Sequence, residues 1–157
     1  MLENRYYAIA IFSNEWWINT IATIIAITFL LFISKSFLKN NKIKTFNLIV
    51  GSVLLIRCIW IQWYQYYLGI WDLQWSLPLQ MCSLSAVMSG ILPLIENSNL
   101  NKNYKQWVFE FLFYYSIGAF YSILTPVYTT GINGLIYYEY YISHGGILFT
   151  SIYFFII

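Results

Sequence analysis

Most of the charge in this chain falls in a few short gaps, and between the gaps lie five long apolar stretches. A bilayer core of ~30 Å is crossed by ~20 residues of apolar helix, and each stretch approaches or exceeds that length. They run 16–37, 46–67, 77–95, 107–124 and 138–157. The pattern predicts an all-α fold, a polytopic membrane helix bundle with five transmembrane helices. No internal repeat or linker divides it, so a single domain is expected over 1–157. Charged residues make up 9% of the chain, against about 25% in a soluble domain, which excludes an ordinary water-soluble core. A net charge of +2 is too small to make nucleic acid a partner. Membrane lipids are the partner this composition implies, and a multi-pass protein of the cell membrane is the expectation. Oligomeric state is not readable from these residues. The start of the chain has no small-x-small cleavage site and does not read as a signal peptide.

The lysines set an orientation. Lys35 lies at the end of the first stretch and Lys39, Lys42 and Lys44 follow it, while Lys102 and Lys105 follow the third. If every stretch crosses, both gaps lie on one side, and the positive-inside rule makes that side cytoplasmic. The N-terminus is then outside, with Arg5 the one dissenting charge. The last stretch is still apolar where the chain stops, so it either ends flush with the membrane or belongs to something longer.

The stretch 77–95 reads LPLQMCSLSAVMSGILPLI. Wound as a helix, Cys82, Ser85, Ala86, Ser89 and Gly90 form one small, partly polar ridge. Small residues let helix backbones approach closely, so this face should look at protein and the other segments should gather around it. Pro93 is expected to bend the far end.

Depth measured from the outer face at ~1.5 Å per residue puts Cys82, Gln62 and His144 at similar levels, with Arg57 deeper and Asn19 and Ser122 nearer the rim. Polar groups in a membrane are costly and face a cavity or one another, so an outer-half pocket fed by all five segments is expected. A thiolate is a nucleophile that needs a base or cation beside it. His144 is the sole histidine and is the candidate base for Cys82. Arg57 cannot lose its proton, and it needs a carboxylate, phosphate, carbonyls or water; a functional arginine here would hold an anionic head bidentately. Gln62, Gln80 and Ser85 complete the candidate substrate-binding set. Each residue also has a packing role open to it, Ser85 and Cys82 above all. No metal-ligand spacing, phosphate-cradling glycine loop or GxSxG is present, so no cofactor and no metal are expected. Three functions stay open on the residues: a cysteine-dependent enzyme acting on lipid, a transporter or binding protein for a small solute or lipid, and an assembly subunit.

Two short words, LPLQMC at 77–82 and SHGG at 143–146, resemble those of the YwaF-like family of integral membrane proteins. Between them FYYSIGAFYSILTP, 113–126, resembles the family's aromatic, glycine-bearing span followed by Thr-Pro. FSNEWW at 12–17 resembles its start of the first span. Gln80 and Trp16 or Trp17 stand where the family often has histidine, which leaves His144 alone. The resemblance covers nearly the whole chain and suggests the N-terminal five of about seven spans. These bacterial proteins are related to an animal membrane acyltransferase. The resemblance therefore implies an acyl-lipid substrate, Cys82 as acyl acceptor and His144 as its partner.

Overall fold

The computed structural model describes residues 6–77, 80–129, 131–132 and 134–156, with the side chains of 74 and 75 left aside. Five long helices carry the fold: α1 (Asn14–Lys39), α2 (Ile43–Tyr67), α4 (Met81–Glu96), α5 (Lys102–Leu124) and α6 (Ile136–Ile156). A four-residue turn of helix, α3 (Leu73–Ser76), precedes α4. The helices begin where local chemistry supplies a cap. Ser13 is extended and its hydroxyl accepts from the Trp16 amide at 3.2 Å. Asn101 does the same for Asn103 at 3.0 Å, which starts α5 five residues earlier than hydropathy suggests. The turn from α1 to α2 is closed by Asn41 at φ 54°, a conformation asparagine tolerates. By length and composition α1, α2 and α5 are able to cross a membrane, and α4 is a shorter apolar helix.

The third apolar stretch differs from expectation at its start. Its helix begins at Met81, with Gln80 as an extended N-cap (φ −72°, ψ 148°) that makes no side-chain cap bond. The sequence Leu77-Pro78 disfavours helix at Leu77; positions 78 and 79 of that stretch, like Arg5 and Ile157, lie outside the described residues. Cys82 therefore sits in the first turn of α4, and not five residues into a helix. The helix continues past the buried Pro93 to Glu96.

The small ridge of α4 does face protein: Ser85, Ala86, Ser89 and Gly90 are buried. Its closest approach is to α2. A Cβ on Gly51 would lie 2.7 Å from the Gly90 carbonyl oxygen, and one on Gly90 would lie 2.8 Å from Leu55 Cγ. The centre of the bundle, however, is shared. α4 packs on α2, α5 and α6, while α1 packs chiefly on α6, and α6 touches all four other long helices. Small residues explain this too. A Cβ on Gly145 would meet Thr23 of α1, and one on Gly146 would meet Leu54 of α2. Leu92, Leu112, Ala119 and Ile147 close the core between α4, α5 and α6.

Large apolar side chains instead cover the outside, among them Phe29, Phe32, Ile56, Ile59 and Phe155. Lipid, not water, suits such a surface. At the lysine-bearing end, Asn97 Nδ2 donates to the Lys44 carbonyl at 2.7 Å and Tyr153 donates to Asn47 Oδ1 at 2.5 Å. The first bond holds the two lysine-rich gaps side by side, and the second ties α6 to α2. At the other end a strap not visible in the hydropathy pattern joins β1 (Tyr7–Ala8) antiparallel to β2 (Val127–Tyr128), with the Ile9 amide donating to the Pro126 carbonyl at 3.2 Å.

Candidate functional site

A cavity of about 280 Å³ opens between α2, α4 and α6, at the end of the bundle that carries the β1–β2 strap. Five of the six residues singled out in the sequence line it: Arg57 and Gln62 from α2, Gln80 and Cys82 from the start of α4, and His144 from α6. Ser85 does not. It is buried, and its hydroxyl donates to the Met81 carbonyl of its own helix at 2.8 Å, a packing arrangement that leaves it facing α4's neighbours. α5 contributes Ser122 and the strap contributes Val127, Tyr128 and Thr129. Among the described lining residues none comes from α1. Asn19 is instead drawn to Tyr137, whose hydroxyl donates to Glu15 at 2.6 Å, so the outer polar groups divide into two clusters.

His144 is 8% exposed and its ring orientation is fixed from within α6. Nδ1 lies 2.7 Å from the Tyr140 carbonyl oxygen. A carbonyl only accepts, so Nδ1 carries the hydrogen, and in the neutral ring Nε2 holds the lone pair. The Tyr140 ring packs against the imidazole at 4.3 Å between centroids, and its own hydroxyl donates to the Ser122 carbonyl at 2.8 Å. Cys82, in contrast, is exposed, and both cysteines are free thiols. The cavity thus brings an accessible sulfur and a pinned imidazole to one space.

Arg57 has found a carboxylate, that of Glu139 on the first turn of α6. The second guanidinium arm donates to Cys58 Sγ at 3.2 Å. Side-chain exposure is 11% for Arg57 and 16% for Glu139, so the pair is largely dry. The carboxylate is one of the partners the sequence left open for Arg57, and Glu139 occupies the guanidinium that a bidentate grip on an anionic head would need. Gln62 accepts from Trp71 Nε1 at 2.9 Å, which fixes its amide at the rim. Burial, with Tyr141 adding, pushes the Tyr128 phenol above its ordinary range, so it remains a donor, aimed at the Tyr137 carbonyl at 3.4 Å. Two lining atoms, Arg57 Nε and Gln65 Oε1, are buried with no hydrogen-bond partner among the described residues. Among the described residues no group of three His, Cys, Asp or Glu is placed to hold a metal.

Glu139, Cys58 and Gln65 were missed in the sequence. Glu139 falls at the very start of the fifth stretch, where it reads as an end residue, yet α6 begins three residues earlier, at Ile136. Depth counted along the backbone also sets Arg57 too deep to meet it. A long arginine stem carries its head well away from its own Cα, and that reach was the available signal.

Apolar helices whose outward faces are hydrophobic, enclosing a polar cavity, define a multi-pass membrane protein. The family model named TMEM164 family matches residues 11–157, and the chain belongs to that family of transmembrane proteins. No curated protein and no solved structure matches it.

Proposed function

We propose that the protein is a lipid-directed acyltransferase that works through Cys82 and His144. The observation that carries this reading is the shared cavity, with an exposed thiol on one wall and, on another, an imidazole whose Nδ1 is committed to a carbonyl. In the first half-reaction His144 Nε2 takes the Cys82 proton and the sulfur attacks the carbonyl carbon of an ester lipid. The alcohol leaves with the proton that His144 returns, and the acyl group stays on sulfur as a thioester. In the second half, the hydroxyl of a lysolipid gives its proton to His144 and attacks the thioester carbonyl. The new ester leaves, and the thiol regains its proton. Water in place of the lysolipid would make the same site a hydrolase. The first-turn position of Cys82 suits this chemistry, because a helix N-terminus favours negative charge. The resemblance of LPLQMC and SHGG to YwaF-like proteins points the same way. Gln80 and Gln62, at the rim, are assigned to orienting the lipid.

The accompanying topology is a single domain in the cell membrane, with all five long helices crossing, the lysine end in the cytoplasm and the strap outside. Purified protein in vesicles that hold an ester lipid and a lysolipid should form the transferred product, with acyl mass trapped on the peptide that carries Cys82. Cys82→Ser should abolish transfer, and His144→Ala should slow it by about 10²–10⁴-fold. Undiminished transfer by Cys82→Ser protein removes the sulfur from the mechanism.

A further inference from the structure

We infer that the cavity selects uncharged ligands, a long-chain ester over a long-chain anion, and that Glu139 is the residue that sets this preference. Among the described lining residues only Arg57 and Glu139 are an acid or a strong base, and they face each other. The wall is therefore polar yet carries no net charge. Bidentate capture of an anion needs two neighbouring N–H groups of one guanidinium. Here Nη1 is held by Glu139, Nη2 is turned to Cys58, and Nε is out of contact with solvent.

An incoming anion would have to push Glu139 aside or sit against it. The first leaves a largely buried carboxylate without its cation, and the second sets like charges together. An ester carbonyl meets neither obstacle. Ile61, Ala86, Val87 and Ile136 supply apolar wall for a chain.

The inference rests on the reading that lipid enters this cavity, but not on acyl transfer, and its test uses Cys82→Ser protein so that nothing reacts. Native mass spectrometry from an uncharged detergent would compare methyl palmitate with hexadecyl sulfonate, which is charged at every working pH. The ester should bind at least ~10-fold more tightly, a difference of about 1.4 kcal/mol. Glu139→Gln in the same background should raise sulfonate binding by ~10-fold or more. The double change Arg57→Gln with Glu139→Gln should keep the ester and gain no sulfonate. The inference is overturned if the parent binds sulfonate as tightly as ester, or if folded Glu139→Gln protein keeps the parent's selectivity. Should Glu139→Gln fail to fold, the parent and the double variant decide by themselves. Normal transfer by Cys82→Ser protein would defeat the proposed function and leave this selectivity standing.

Discussion

Arg57 shows how far one side chain can be read before its partner is known. That it must be paired follows from its chemistry alone, since a guanidinium keeps its proton and a membrane offers no water. That the partner is Glu139 depends on where α6 begins and on the reach of the arginine stem, neither of which hydropathy records. A buried ion pair adds little stability as a whole, but half of one is costly. Arg57→Met should therefore destabilise the protein by about 3–5 kcal/mol, by leaving the Glu139 carboxylate buried without its cation. Arg57→Met with Glu139→Leu should recover most of that loss. Melting in detergent of the two singles and the double closes the cycle, and equal, additive losses would show that the pair is not coupled. His144 is the contrasting case. Its identity as the one histidine was legible, but the tautomer that makes Nε2 a base depends on the Tyr140 carbonyl one turn back, a detail of orientation that spacing suggests and only coordinates fix.

At the scale of elements, hydropathy located all five long helices to within a few residues at most ends, because apolar length is what a membrane selects. It failed where capping and proline chemistry act: the polar opening turn of α5 after Asn101, and the extended Gln80 ahead of Met81. It also could not say which helix is central, because α4 and α6 both carry small residues, and only packing shows that α6 reaches all four neighbours. Two glycines separate packing from propensity. Gly51 lies against the backbone of Gly90, so a methyl group there meets an atom that cannot rotate away. Gly51→Ala should cost about 1–3 kcal/mol through overpacking, by forcing α2 and α4 apart. Gly118 of α5 has nothing within 4 Å of the same position. Gly118→Ala should stabilise by about 0.4–1 kcal/mol by removing freedom from the unfolded chain. Thermal melts of both in one detergent check the pair. A neutral Gly51→Ala would mean that α2 and α4 do not meet backbone to backbone at Gly51 and Gly90.

Over the whole molecule the two ends have opposite character. One gathers the six lysines, with the gaps that carry them tied by Asn97 and Lys44. The other carries the β1–β2 strap and the cavity. α4, at 16 residues, is about 24 Å long, short of a ~30 Å core. Its late start at Met81 leaves room near the strap end, and there Cys82 lines the cavity. Under the positive-inside rule the expectation is that the cavity mouth, and with it the proposed lipid exchange, faces the outer leaflet. Single cysteines in protein lacking Cys58 and Cys82 can test this in cells. Lys42→Cys and Lys102→Cys should react with a membrane-impermeant maleimide only after permeabilisation. Ile11→Cys and Ile132→Cys, both at exposed positions near the strap, should react in intact cells. Labelling of the lysine positions from outside would invert the protein and move the proposed chemistry to the cytoplasmic leaflet. A split result, with Lys42 and Lys102 on different sides, would contradict the bond that joins their two gaps and with it the five-crossing arrangement.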